Sequence, residues 1–127
     1  MSLPFNPWQG LIVIPAEIHG PSAKGIARLA VDTGATNTLV NGDFLTGLGF
    51  DPSQPAGHAQ MTTATGVQVV PLIAVDKLVA FGLQQDDFSV ICHTLPAGNV
   101  VDGVLGLDFF RGRRLTIDFR KSRIALK

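Results

Sequence analysis

Cysteine is almost absent from this sequence of 127 residues, which has Cys92 alone and no tyrosine at all. A lone cysteine cannot form a disulfide within the chain, so nothing in the fold requires an oxidising compartment. Cys92 ends the apolar run 88–92, which is typical of a small buried side chain rather than a nucleophile. No apolar run is long enough to span a bilayer, and no charged leader followed by an apolar stretch opens the sequence. We therefore expect a cytoplasmic protein without a membrane span.

Net charge is also lacking, because ten Lys and Arg residues balance ten Asp and Glu residues. Bulk electrostatics therefore favour no polyanionic partner. Seven of the ten cations nevertheless lie in residues 111–127, where Asp118 is the only opposing charge. This cluster leaves a nucleic-acid-binding barrel open as a weak alternative. Phe119 is the only aromatic residue there, however, so a solvated face is favoured and we expect no nucleic-acid partner.

The sequence has no motif for a cofactor or for covalent catalysis. It contains neither a Gly-Lys-Ser/Thr loop for phosphate nor a nucleophile elbow. The three histidines, His19, His58 and His93, are scattered, and only His93 has a second soft ligand beside it, Cys92. Neighbours on a strand point to opposite faces, so this pair is a poor metal site. We expect neither a metal nor a cofactor.

Glycine and proline, by contrast, are frequent, with 14 and 8 copies, and they divide the chain into short apolar segments. Such punctuation is typical of many short strands, and the length fits one domain. Residues 1–10 are predicted to be an extended N-terminal segment and residues 11–127 the folded domain. The predicted fold class is all-β with one or two short helices, the first capped by Asn41. Strands are predicted at 11–14, 16–19, 26–31, 38–40, 61–64, 67–70, 72–75, 78–81, 88–91, 115–119 and 123–126, with a loop at 51–60 and a turn at 84–87.

Asp32 is the residue that points most directly to chemistry. It lies between the apolar stretches 26–31 and 38–40, whereas an Asp of an ordinary surface turn has polar neighbours. A strand delivers its carboxylate towards the core, where we expect desolvation. Thr33 offers a hydroxyl that can fasten the loop, and Gly34 permits a tight turn close to a substrate. The tripeptide Asp-Thr-Gly alone occurs by chance in roughly a few per cent of chains of this length, so its surroundings decide its meaning.

Those surroundings resemble the retropepsin-like aspartic proteases, in particular their single-lobe bacterial members. The sequence Ala-Val-Asp-Thr-Gly-Ala-Thr at 30–36 is followed by Asp-Gly-Val-Leu-Gly-Leu-Asp-Phe-Phe at 102–110. In that family, a strand delivers an Asp-Thr-Gly-Ala loop, and a later hydrophobic-hydrophobic-Gly element, here 104–106, packs beneath it and leads into a short helix. The hairpin around 62–66 falls where the family has its flap. The resemblance covers about residues 10–126 and implies a one-lobe β-barrel that works as a homodimer, with 115–119 as an interface strand.

The activity that this resemblance implies is that of an aspartic endopeptidase acting on peptides or proteins. Two carboxylates about 3 Å apart cannot both ionise, so one activates a water and the other donates to the developing oxyanion. Asp-Thr-Gly occurs once in the chain, so the second carboxylate must be Asp32 of another copy. The implied catalytic residues are Asp32, Thr33 and Gly34. The implied substrate-binding residues come from the loop, the flap and the Val-Leu-Gly element: Ala35, Thr36, Thr63, Ala64, Thr65, Gly66 and Val104.

Two departures from the family pattern leave another function open. Retroviral members have an Arg directly after the glycine of the later element and an Asp after the Asp-Thr-Gly-Ala loop, and these two brace the dimer. Here the two places hold Leu107 and Thr36, and the flap has no aromatic residue. The alternative is a catalytically silent module of the same fold that dimerises or binds peptides. Asp108 and Asp118 are predicted to accept backbone N–H bonds in a helix or turn rather than to act in catalysis.

Overall fold

The computed structural model describes residues 1–127 and is mostly β, with ten strands and two short helices. In chain order these are β1 (Ser2–Pro4), β2 (Val13–His19), β3 (Lys24–Val31), β4 (Leu39–Asn41), α1 (Gly42–Gly47), β5 (Gly57–Thr63), β6 (Gly66–Ala80), β7 (Leu83–His93), β8 (Gly103–Leu105), α2 (Leu107–Phe110), β9 (Leu115–Asp118) and β10 (Arg123–Leu126).

Six strands close into a barrel in the order β2-β3-β8-β4-β7-β6, with β6 returning to β2. The pairs β3–β8 and β4–β7 are parallel, and the other pairs are antiparallel. Strand β5 pairs only with β6 and forms a hairpin that projects from the barrel. The terminal strands make a separate sheet in the order β1-β10-β9. The predicted all-β fold class is confirmed.

The core follows from alternating residues on the barrel strands. On β2, Ile14, Ala16 and Ile18 are at most 1% exposed, whereas the residues between them face outward. This period of two is what a strand with one buried face requires. At the centre, Phe109 of α2 packs edge-to-face on Phe88 of β7, with ring centroids 6.0 Å apart. Truncating such a buried ring typically costs about 3–5 kcal/mol, so α2 is firmly attached to the barrel wall.

Three local predictions were wrong, all in the middle of the chain. Residues 57–60, predicted as loop, begin β5, because pairing with β6 rather than burial holds these small and polar residues in a strand. Residues 66–80 form one long strand instead of three. The predicted turn at 84–87 lies inside β7, and the chain reverses at Phe81 and Gly82, whose φ angles are +54° and +72°. A two-residue turn with both φ angles positive suits glycine and asparagine, so a phenylalanine there gives no local signal.

The structure also has the predicted cap of the first helix, and it pairs the two ends of the chain. Asn41 caps α1, because its Oδ1 accepts the N–H of Asp43 at 3.4 Å, as predicted. Strand β1 pairs with β10, and Phe5, which follows it, is buried against Phe119. The prediction for Asp118 is confirmed, since its carboxylate accepts the N–H of Lys121 at 2.9 Å. Neither helix has the length and apolar character needed to cross a membrane.

Candidate active site

The Asp32 loop begins where β3 and β8 end side by side. These strands are parallel, and Val31 is opposite Leu105. The N–H of Asp32 donates to the carbonyl oxygen of Leu105 at 3.0 Å, and the N–H of Val31 donates to that of Ile12 at 2.8 Å. The loop therefore starts from backbone that two neighbouring segments hold in place.

Within the loop, the carboxylate of Asp32 is oriented by its own backbone. Its Oδ1 accepts the N–H of Gly34 at 2.9 Å, and the N–H of Ala35 donates to the carbonyl oxygen of Asp32 at 3.2 Å. Its Oδ2 receives no hydrogen bond from the chain. The side chain is half-buried in the single chain, so the desolvation expected from the sequence is only partial here. One carboxylate oxygen is fixed and the other remains available for a partner.

The Val-Leu-Gly element packs beneath this loop at close range. An added Cβ at Gly106 would stand 2.8 Å from the carbonyl oxygens of Ala35 and Asn37, so only glycine fits. The N–H of Leu107 donates to the oxygen of Ala35 at 2.8 Å. The Oδ2 of Asp108 accepts the N–H of Thr38 at 2.9 Å, which confirms the prediction that this carboxylate caps backbone. The element thus supports the loop over its full length.

An open cleft of about 460 Å³ lies over the loop. Five of the predicted site residues line it together with six that were not predicted, so the complete lining is Asp32, Gly34, Ala35, Thr36, Val104, and Asn37, Leu39, Gln60, Met61, Thr62 and Ile91. Asp32 is the only ionisable side chain among them. A single copy therefore offers one carboxylate to whatever the cleft holds.

The remaining predicted residues do not reach the cleft. Thr33 is exposed and absent from its lining. The hairpin tip closes on itself, because the Oγ1 of Thr63 lies 3.1 Å from that of Thr65 and 3.1 Å from the oxygen of Gly66. Thr63, Ala64, Thr65 and Gly66 thus lie beyond the cleft, and β5 covers it with Gln60, Met61 and Thr62 instead.

Some of the six cleft residues that were not predicted have a signal in the sequence, and others have none. Met61 and Thr62 belong to the predicted hairpin, but no pattern in the sequence says how far that hairpin leans over the loop. Leu39 is opposite both Ile91 and Val104, so three neighbouring strands form one apolar wall. The pairing that creates this wall joins residues 52 and 65 positions apart, and such distant pairing leaves no local signal.

Other reactive groups lie outside the cleft. Burial raises the pKa of the Cys92 thiol, which packs near Gly42 at the base of α1. His19 and Lys24, whose nitrogens lie 3.5 and 3.4 Å from the carboxylate oxygens of the half-buried Glu17 on β2, lower the pKa of that carboxyl. No group of three or more His, Cys, Asp or Glu side chains is arranged to hold a metal ion.

Comparison with known proteins agrees with this geometry. The family model described as aspartyl protease matches residues 14–109, which is 96 of the 127 residues and includes the Asp32 loop and the element beneath it. The chain belongs to the aspartyl protease family. Membership supports a protease-type, hydrolytic function for this aspartyl protease chain. A comparison with curated proteins gives no match.

Among solved structures, the chain is similar to a retropepsin-like aspartic protease from Rickettsia conorii. The TM-score is 0.69 at 21% identity, and the match covers 99% of this chain and 88% of the other. At this identity the likeness shows the fold, and the predicted retropepsin-like, single-lobe fold is confirmed.

Proposed function

We propose that the chain is an aspartic endopeptidase whose active form is a homodimer, with Asp32 of each copy providing one carboxylate. The observation that supports this most is the cleft itself, in which Asp32 is the only ionisable side chain and has one oxygen free of hydrogen bonds. A dyad needs a second carboxylate, and a two-fold axis beside the free oxygen would supply it from another copy.

In the proposed mechanism, the two carboxylates share one proton because like charges about 3 Å apart do not both ionise. The ionised Asp32 takes a proton from a water held between the pair, and this water attacks the peptide carbonyl carbon. The protonated Asp32 donates a hydrogen bond to the carbonyl oxygen as it becomes negative. Collapse of the tetrahedral intermediate breaks the C–N bond, and the amine leaves with a proton from the dyad. The hydrogen bond from Gly34 keeps each carboxylate in orientation throughout.

The proposed substrate is an extended peptide lying between the loop and β5. The apolar wall of Leu39, Ile91 and Val104 suits apolar substrate side chains. Gln60 and Thr62 present polar groups from above, and backbone pairing with β5 would hold a peptide without depending on its sequence.

The surface proposed for pairing is the terminal sheet. Strand β9 is one of its two outer strands and pairs on one side only, with β10. Phe119, which follows β9, is 59% exposed, and Ile117 on β9 is 36% exposed. An open strand edge with exposed apolar side chains favours pairing with another chain.

The test is cleavage of a mixed peptide library from mildly acidic to neutral pH by the wild-type chain and by Asp32→Asn. Asparagine keeps an oxygen for the N–H of Gly34 but cannot ionise, so we expect at least about a 10³-fold loss of activity in a folded protein. Asp51→Asn is the matched control, because Asp51 caps a local turn at Ser53 and lies outside the cleft. Cleavage that persists in Asp32→Asn would refute the dyad. No cleavage by any of the three proteins would instead favour the silent peptide-binding module.

A further inference from the structure

Thr38, at the returning end of the Asp32 loop, is the one polar residue among the buried residues of the chain and is 0% exposed. A buried hydroxyl is costly unless its hydrogen bonds are satisfied, and here they are. The Oγ1 of Thr38 donates to Oδ1 of Asp108 at 2.7 Å and accepts the N–H of Gly106 at 3.1 Å. The Oδ2 of Asp108 accepts the N–H of Thr38 at 2.9 Å. One carboxylate therefore holds both the side chain and the backbone of a residue 70 positions away.

These bonds hold the arm of the loop that leaves Asp32. The arm that arrives is held separately, by the bond from Asp32 N–H to the oxygen of Leu105. Between the two, the N–H groups of Leu107 and Asp108 donate to the oxygens of Ala35 and Thr36 at 2.8 and 3.3 Å. The Thr38–Asp108 contact is the only one of these that uses side chains on both partners, and only there is a charge involved.

We infer that Asp108, acting through Thr38, is a positioning residue that keeps the Asp32 carboxylate aimed into the cleft. This inference rests on the proposed function. Asp108 does not line the cleft and therefore does not touch substrate. It has no Lys, Arg or His within 4.0 Å, so its charge is used on the donors of Thr38 rather than in an ion pair. Hydrogen bonds to an ionised acceptor are roughly twice as strong as neutral ones, which suits the carboxylate to this task.

The Thr38–Asp108 hydrogen bonds, here called the Thr38–Asp108 brace, act within one chain, whereas the retroviral Arg–Asp pair that this sequence lacks braces the dimer. At Thr36 and Leu107, the places of the missing ion pair, only backbone bonds join the two segments. The Thr38–Asp108 brace lies wholly within one copy. Each copy consequently has an ordered Asp32 loop before it dimerises. Dimer formation then needs only to bring the two ordered loops together.

A purely structural role for Asp108 makes a different prediction from a positioning role. Loss of stability lowers the amount of folded enzyme but leaves the pH profile of each folded molecule unchanged. Displacement of Asp32 alters the distance between the two carboxylates, and this distance sets how far apart their two apparent pKa values lie. The width of the pH–rate profile therefore reports positioning directly.

The experiment compares Thr38→Val, which keeps the shape but removes the hydroxyl, with Thr38→Ser, which keeps the hydroxyl. Thr46→Val is the matched control, because its hydroxyl bonds within α1, to the oxygen of Gly42. For Thr38→Val we expect kcat to fall about 10- to 100-fold with KM nearly unchanged, since small displacements of a catalytic group have effects of this size. We also expect its pH–rate profile to change width. Thr38→Ser should restore both, Thr46→Val should match the wild type, and Asp108→Asn, with one acceptor oxygen left, should fall between.

Hydrogen exchange gives a readout that does not need activity. In Thr38→Val the hydrogen-bonded amides of Gly106, Gly34, Ala35 and residue 38 should exchange at least about tenfold faster than in Thr46→Val. Unchanged exchange there, or an unchanged kcat and pH profile in a folded Thr38→Val, would overturn the positioning role. If the wild-type chain cleaves nothing, the proposed function fails, and the exchange data alone then decide whether Asp108 orders the loop.

Discussion

Burial of the Cys92 thiol makes the stability of the barrel depend on pH in the alkaline range. Its thiol is 6% exposed on β7, and burial raises its pKa above the ordinary value of 9.0. The folded chain therefore holds this proton more tightly than the unfolded chain does. The associated stability is fully present below the unfolded pKa and is lost as the pH rises towards the folded value.

We predict that the free energy of unfolding of the wild-type chain falls more steeply above about pH 9 than that of Cys92→Ala. Urea unfolding at a series of neutral to alkaline pH values measures this. Alanine also leaves a small cavity, which lowers stability equally at every pH, so the slope rather than the level is compared. Parallel curves for the two proteins would contradict the prediction.

Single residues also show which contacts of the Asp32 loop could be predicted from the sequence. The strand that leads into Asp32 has a local signal in the apolar stretch 26–31. The packing of 104–106 beneath the loop has none, and only the resemblance to the family predicted it. The hydrogen-bond partner of Thr38 was not predicted, because the contact joins positions 70 apart and no local pattern indicates it. Asp108 was correctly expected to cap backbone, yet its own segment gives no sign of which backbone it caps.

At the scale of elements, the β5–β6 hairpin is where prediction and structure differ most. Its two-residue turn lies at 64–65, one position earlier than the gap between the predicted strands 61–64 and 67–70, because Gly66 already pairs with Thr63. The hairpin was also predicted to be too short, because pairing with β6 holds the polar residues of β5 in a strand. The residues expected to contact substrate were accordingly placed at the tip, whereas the cleft is covered by the middle of β5.

We therefore predict that Met61→Ala raises KM several-fold, because it removes apolar contact area from the cover of the cleft. Thr65→Ala, at the tip, should leave KM within about twofold of the wild-type value, since Thr65 does not line the cleft. Steady-state kinetics on one cleaved peptide compares the two. An equal rise in both variants would mean that the tip folds down onto bound substrate.

At the scale of the whole molecule, the proposed dyad makes activity a property of pairs. Wild-type and Asp32→Asn chains, mixed equally and allowed to exchange, should form about one quarter wild-type pairs. The mixture should then show about a quarter of the activity of wild-type protein at the same total concentration, provided that mixed pairs are inactive. Independent monomers would give about one half. Specific activity should also rise with concentration, in step with dimer formation measured by sedimentation.

The pairing of β1 with β10 has a consequence for the order in which this protein matures. Residues 2–4 find their partners only at 123–125, and the Asp32 loop is fixed only once residues 105–108 are present. During synthesis the first half of the chain therefore emerges with its key aspartate unsupported, and such distant contacts form slowly. A growing chain on the ribosome contains Asp-Thr-Gly but has no ordered site. The Asp32 loop can therefore become ordered only after residues 105–108 have left the ribosome.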